Sequence, residues 1–339
     1  MPVGAGDRDD RRRRGTVRAV VVEELGGPEV LRLREWPDPE PEPGEVVVDI
    51  EFSGVNFMDT GTRSGFSTPG RPPFVPGVEG AGRITALGEG VSGFATGDRV
   101  AWVFAYGSYA ERIAIPADRI VPIPDDIPSD IAAATMMQGL TAHHFVTESA
   151  PLPEGATALV HSVAGGVGRI VVQLLARRGV RVIGLVSREE KVPVAKKAGA
   201  DEVLVSSGGD FVDRVKALTG GEGVHAVFDG GGAATFWRSI EVLRRAGTLV
   251  FYGPLLGDIP TVRMLDLPRS VKVTYAVFAD HIHTRELLHQ HTADLFDKIR
   301  EGELHIDISR RYPLGAAEQA HTDIESRRTS GKLLLDPRL

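Results

Sequence analysis

The sequence predicts an α/β protein in which a doubly wound parallel sheet is inserted into a discontinuous, β-rich second domain. Three observations predict it. Residues 158–168 read as a buried strand that passes through a glycine turn into a helix. From about Gln138 onward, strand-like and helix-like segments alternate. Before Gln138, short strand-like runs are separated by Pro- and Gly-rich turns, which suits a barrel or sandwich. At 339 residues the chain is long enough for two domains of ordinary size.

Taken in order, residues 1–15 are dense in charge, with Arg11, Arg12, Arg13 and Arg14 in succession and no apolar period. A solvated tail is expected there. Runs 16–22 and 45–50 are Val-rich and strand-like, and the Pro-Asp-Pro-Glu-Pro-Glu-Pro-Gly segment at 37–44 separates them. Strands are then predicted at 158–161, 180–186, 202–205, 226–229, 248–252 and 272–277, with helices at 168–178, 189–198, 211–218, 235–244 and 284–300. Such alternation makes right-handed crossovers and a parallel sheet that binds its ligand at the carboxyl ends of the strands. A strand at 307–312, a helix at 315–325 and a strand at 332–335 follow. Leu333, Leu334 and Leu335 need a host sheet, for which the N-terminal β domain is the simplest choice. The expected domains are a tail at 1–15, a β-rich domain at 16–137 and 278–339, and a dinucleotide-binding domain at 138–277.

Composition narrows the function. Net charge is −7, so no overall basic field attracts nucleic acid or an acidic membrane, and only the Arg-rich tail would argue otherwise. There is no cysteine, which excludes disulfides, thiolate zinc sites and a cysteine nucleophile. No run is long and apolar enough to span a bilayer, and the N-terminus lacks the apolar core of a signal peptide, so a cytoplasmic location is expected.

The chemistry centres on the turn Ala164-Gly165-Gly166-Val167-Gly168. Glycines there let the backbone approach a pyrophosphate, and the amides of the first helical turn bind it. The run is not a strict G-x-G-x-x-G, because Val163 holds the first glycine position. Alone it would equally suit an ordinary βα loop. Its place at the first βα junction of a six-strand pattern makes it a cofactor site. The next strand ends in Ser187-Arg188, with Lys191 close behind, and no acid stands where a ribose 2′-hydroxyl would be bound. Ser187, Arg188 and Lys191 suit a 2′-phosphate, so NADPH fits better than NADH. The alternative is that Arg188 and Lys191 are solvated charges beside Glu189 and Glu190.

The run from His161 to Gly168, followed by Val172-Gln173-Leu174 and Val182-Ile183-Gly184, resembles the zinc-independent quinone oxidoreductases of the medium-chain dehydrogenase/reductase superfamily. Gly54-Val55-Asn56-Phe57-Met58-Asp59-Thr60, Pro76-Gly77-Val78-Glu79-Gly80-Ala81-Gly82, Gly97-Asp98-Arg99-Val100, Gln138-Gly139-Leu140-Thr141-Ala142 and Ile324-Glu325-Ser326-Arg327 agree, so the resemblance spans about residues 17–337. It implies a GroES-like catalytic domain interrupted by a Rossmann domain, with NADPH in the cleft between them. It places Asn56 at the nicotinamide ribose and Thr141 near the nicotinamide. Ala164, Gly165, Gly166 and Val167 would contact the pyrophosphate, while Ser187, Arg188, Lys191 and Arg327 would hold the 2′-phosphate. Tyr252, Gly253, Val277 and Phe278 would line the cleft. Relatives of this type pair as homodimers through the edges of their Rossmann sheets, and strand 272–277 is the candidate edge.

Zinc-dependent relatives use a cysteine, the histidine of a Gly-His-Glu run and a further Cys or Asp. Here Val78 takes the histidine position, so no metal is expected. His143 and His144 are adjacent on a helix and should point apart. His281, His283, His289 and His291 are read as polar surface around a helix start.

Without a metal to polarise a simple carbonyl, a conjugated acceptor is the easier substrate. The expected activity is NADPH-dependent reduction of a quinone or α,β-unsaturated carbonyl. An enoyl reductase in natural-product biosynthesis is the close alternative, and a non-catalytic NADPH-binding protein is the reading from another class. Related enzymes carry a tyrosine where this chain has Gly61, or slightly later, in the neighbourhood that here reads Arg63-Ser64-Gly65-Phe66. No catalytic residue is assigned. Asn56, Gly61, Phe66, Tyr106 and Phe278 are cleft candidates, with Tyr106 or Tyr109 as alternative proton sources. Gly61 reads either as room for a bulky substrate or as a simple turn residue.

Overall fold

The computed structural model describes residues 15–66, 69–206, 210–253, 260–326 and 328–339. The charged stretch at 7–14 and Arg327 lie outside the described residues. In chain order the elements begin with β1 (Thr16–Val22), β2 (Leu31–Pro37), β3 (Glu45–Val55), α1 (Phe57–Ser64), β4 (Glu79–Leu87), β5 (Arg99–Val103), β6 (Arg112–Pro116), β7 (Ile120–Pro122) and α2 (Ser129–His144). They continue with β8 (Thr157–Val160), α3 (Gly166–Arg177), β9 (Arg181–Val186), α4 (Val192–Lys197), β10 (Glu202–Val205), α5 (Val212–Leu218), β11 (Val224–Asp229), α6 (Ala233–Glu241), β12 (Leu243–Phe251) and β13 (Lys272–Tyr275). The last are α7 (Phe278–His281), α8 (Arg285–Arg300), β14 (Ile308–Pro313), α9 (Ala317–Glu325) and β15 (Lys332–Asp336). Among the described residues no helix is long and apolar enough to cross a membrane.

Two compact units result. One contains the described residues up to Ala133 with Arg310–Ser326 and Leu333–Leu339; the other contains Ala134–Ser309 and the described part of Arg327–Lys332. In the first unit a seven-stranded sheet runs β14-β15-β3-β4-β5-β7, with β6 also paired to β3. Strand β3 is central, with antiparallel partners β4, β6 and β15, so most of its residues are buried instead of alternating in and out. The three leucines find their host there, with Leu333 opposite Val55 and Leu335 opposite Ser53. Val46, Val48, Ile50, Ile84, Trp102 and Ile115 form the centre of this core.

A polar chain threads the same unit. Arg63, buried on α1, donates from Nε to His321 Nδ1 at 3.2 Å and from Nη1 to the Gly26 carbonyl at 2.9 Å, and it pairs with Glu325. Because Arg63 can only donate, His321 accepts at Nδ1 and carries its proton on Nε2. That nitrogen faces Tyr109 Oη at 3.2 Å, and Tyr109 donates to Asp59 Oδ2 at 2.8 Å. Burial, then the Arg63 charge, pushes the His321 pKa down to about 3. Burial, reinforced by Asp59, raises the Tyr109 phenol well above its ordinary range.

In the second unit a six-stranded parallel sheet runs β10-β9-β8-β11-β12-β13. The order reverses direction on either side of β8, so the first strand after the helical approach lies at the topological switch point. The stretch read as one helix at 189–198 is a 3-10 turn, Glu189–Lys191, followed by α4, which carries Pro193 in its first turn, where a missing N–H costs nothing. The second unit extends to Ser309, beyond the expected boundary at 277. The physical reason is a side-chain tie: His143 at the end of α2 reaches Asp294 of α8 at 3.0 Å and His281 of α7 at 2.8 Å.

Candidate functional site

The glycine turn forms as the residues require. After β8, Ser162 takes a left-handed φ of 53°, and its carbonyl accepts from the Gly165 amide at 2.8 Å. Gly165 caps α3, and the amides of the first helical turn have no intrahelical acceptor. A Cβ on Gly168 would overlap the Ser162 carbonyl oxygen, so the turn closes only around glycine there. Val163 is tolerated at the first glycine position because β9 presents Gly184 opposite it; a Cβ on Gly184 would lie 2.8 Å from Val163 Cγ2.

The ends of the neighbouring strands complete this face of the second unit. Ser187 and Arg188 are exposed beyond β9, and Lys191 Nζ donates to the Thr329 carbonyl at 3.3 Å. Beyond β11, the buried Asp229 accepts from Ser239 Oγ at 2.7 Å, Thr235 Oγ1 at 2.8 Å and the Gly231 amide at 2.7 Å. His161, the first residue after β8, stands 3.1 Å from Ser239 Oγ. Ser239 gives its proton to Asp229, so the trio braces two strand ends and is not a nucleophilic array. Sequence reasoning missed this brace because its members are separated by up to 78 residues. Beyond β12, Tyr252 packs on Phe145 with ring centroids 4.7 Å apart, and a Cβ on Gly253 would overlap the Gly230 carbonyl. Phe278 is buried at the start of α7. Thr141 is half-buried on α2 and donates to the Met137 carbonyl at 2.6 Å.

In the first unit Asn56, 4% exposed, precedes α1. Its Nδ2 donates to Glu79 Oε1 at 2.6 Å, and its amide donates to Asp59 Oδ2 at 2.9 Å. Glu79, named in the sequence only within the Pro76–Gly82 run, therefore fixes the Asn56 side chain. Gly54 has no side chain in the space that Glu79 fills. Gly61 is buried inside α1, which corrects its alternative reading as a turn residue: the Gly-Thr-Arg-Ser run continues the helix to Ser64. Phe66 is 60% exposed and Tyr106 39% exposed. Tyr109 is fully buried with its proton committed to Asp59, which removes it as a proton source.

The histidines depart from expectation. His143 and His144 both have ring centroids about 5 Å from that of His281, and each enters a group that includes it: one is His143, His281 and His291, and the other is His144, Glu148 and His281. His281 is 1% exposed and is not polar surface, because α7 turns it inward against the end of α2. Burial, then the neighbouring His291, pushes its pKa down to about 4. The hydrogen bond with His143 holds the Asp294 carboxyl below its ordinary range. A π-helical turn, Phe145–Ser149, supplies Glu148.

A family model described as an alcohol dehydrogenase GroES-like domain matches residues 42–125, and one described as zinc-binding dehydrogenase matches residues 166–291. The quinone oxidoreductase of Pseudomonas aeruginosa is 37% identical over 316 residues, which is 92% of this chain and 97% of that protein. The 2-haloacrylate reductase of a Burkholderia species is 32% identical, over 95% of this chain and 99% of that protein. The crystal structure of Escherichia coli quinone oxidoreductase complexed with NADPH superposes with a TM-score of 0.91 at 35% identity, covering 94% of this chain and all of that one. With the matching fold, the glycine turn and Val78 in place of the zinc histidine, the chain belongs to the zinc-independent quinone oxidoreductase family of the medium-chain dehydrogenase/reductase superfamily.

Proposed function

We propose that this oxidoreductase reduces a quinone, a small conjugated acceptor, at the expense of NADPH. The observation that carries the reading is the turn closed at Gly168 on Ser162, followed by the acid-free end of β9. NADPH, when bound, supplies the hydride. The amides that open α3 hold the pyrophosphate, with Ala164, Gly165, Gly166 and Val167 as contacts. Ser187, Arg188 and Lys191 hold the 2′-phosphate through charge-assisted hydrogen bonds, and Arg327 is proposed to join them. Thr141, Tyr252, Gly253 and Phe278 are proposed for the nicotinamide end, and Asn56, fixed by Glu79, for the ribose. Gly61, Phe66 and Tyr106 are proposed for the acceptor.

The relative named for 2-haloacrylate favours a second reading, reduction of an α,β-unsaturated carbonyl compound. NADPH oxidation with a panel of quinones and of enones separates the two by which product accumulates, hydroquinone or saturated carbonyl. For the cofactor, the Arg188→Ala, Lys191→Ala double variant is expected to lose about 100-fold in NADPH affinity, with NADH nearly unchanged. Wild-type binding of NADH as tight as NADPH would refute the assignment.

We also propose a cytoplasmic homodimer joined through the edge strand β13. Tyr275 on that strand is 70% exposed and suits burial at such an edge. A dimer mass in sedimentation, lost in Tyr275→Asp, is the expected result; a wild-type monomer would refute it.

A further inference from the structure

We propose that His143, His281 and His291 form a site for one zinc-class divalent metal ion, unrelated to the zinc position that Val78 occupies. One ligating atom from each lies within 4.8 Å of the others. The three come from α2, α7 and α8, so an ion there would cross-link separate elements of the second unit.

The argument is a proton count. His143 Nε2 lies 3.0 Å from Asp294 Oδ2 and donates to it, which in a neutral imidazole leaves a lone pair on Nδ1. That lone pair faces His281 Nε2 at 2.8 Å. The other nitrogen of His281, Nδ1, lies 2.8 Å from Glu148 Oε1 without hydrogen-bond alignment. A neutral imidazole carries one proton. If His281 carries it on Nε2, bare Nδ1 faces a carboxylate; if on Nδ1, two bare nitrogens face each other. Either way the cluster lacks one positive centre. His291, its ring stacked on His281 at 3.7 Å, adds a buried Nε2 with no hydrogen-bond partner.

A metal ion among the three rings would supply that positive centre, with the His281 and His291 rings, stacked at 9°, tilting apart so that both in-plane lone pairs meet it. His143 Nδ1, His281 Nε2 and His291 Nε2 would be donors, and neutral imidazole suits zinc, copper and nickel. The outer nitrogens would then donate to Asp294 and Glu148, the carboxylate–histidine pairing that orients metal-bound histidines. His144, 3.2 Å from Glu148 Oε2, steadies the second carboxylate. Tetrahedral zinc ligation at about 2.0–2.1 Å separates two nitrogens by about 3.3 Å. The gap between His143 and His281 therefore has to open by only a few tenths of an ångström. Three protein ligands leave the fourth position for water.

The test uses the full chain, free of any affinity tag and stripped with chelator. Dialysis against micromolar zinc chloride and metal analysis should find one zinc per chain, and saturating zinc should raise the melting temperature by about 3 °C or more. His281→Gln and His291→Phe, the second preserving the ring stack, should lose both effects, while His305→Gln, at an exposed histidine, keeps them. If His281→Gln fails to fold, His291→Phe decides. No retained zinc, or zinc held equally by the variants, would overturn the site; the missing positive centre would then be a proton.

Discussion

Gly168→Ala is expected to weaken NADPH binding by at least about tenfold and to cost about 1–3 kcal/mol of stability. A Cβ at this position would overlap the Ser162 carbonyl oxygen and lie 2.9 Å from its carbonyl carbon and 3.0 Å from Val163 Cα. All three are backbone or Cα atoms, so no side chain can rotate away and the turn itself must move. The Ser162 carbonyl is also the acceptor for the Gly165 amide at 2.8 Å, so displacing it disturbs the cap of α3. The neighbouring glycines predict a rank order. At Gly166 the three atoms nearest to a Cβ all belong to the side chain of Gln138, which can swing aside. At Gly165 the backbone φ is −81°, open to any residue, and the nearest atom is Ser162 O at 3.1 Å. Urea midpoints and NADPH dissociation constants for the three alanine variants check this. A Gly168→Ala protein with wild-type values for both would remove the turn from the proposed cofactor site.

The same turn shows what was legible in the sequence. Its glycines, the apolar runs of β8 and β9, and the acid-free end of β9 all lie between Thr157 and Lys191, and each was readable. Helix α2 was legible only around His143 and His144. Most of it is buried, so it lacks the amphipathic stripe that reveals a surface helix. Helix α1 is short and carries Gly61, which reads as a turn until Asp59 is seen accepting from the Asn56 amide. The histidine group joins residues 143, 281 and 291, and their convergence depends on how α7 and α8 pack on α2. Adjacent histidines were expected to point apart, yet both stand beside His281. The sequence could not show that His281 would stand between them.

Arg63→Met is expected to destabilise the protein by about 2–5 kcal/mol, at about 1–3 kcal/mol for each buried acceptor that it strands. Arg63 has a side chain 3% exposed, whereas its partner Glu325 is 31% exposed. Methionine would leave the Gly26 carbonyl and His321 Nδ1 without their donor, while Glu325 can turn to water. Glu325→Gln, which keeps an acceptor oxygen, should therefore cost only about 1 kcal/mol. A second signature comes from acid. His321 faces Arg63 on one nitrogen and Tyr109 on the other, with Asp59 and Glu325 behind them. Its folded pKa of about 3 lies below the ordinary 6.5. Between those values the unfolded chain binds a proton that the folded chain refuses. The contribution is thus full above pH 6.5 and falls as pH drops, by about 2 kcal/mol between pH 7 and pH 5. His321→Gln removes the proton site and should flatten that part of the slope. Arg63→Met should flatten it only in part, because burial, the larger cause, remains after the fixed cation facing His321 Nδ1 is gone. Carboxylates common to all variants cancel in the comparison. Urea midpoints at pH 7 and pH 5 for wild type, Arg63→Met, Glu325→Gln and His321→Gln give both readings. A full wild-type acid slope in Arg63→Met would mean that the guanidinium adds nothing to burial in keeping His321 neutral.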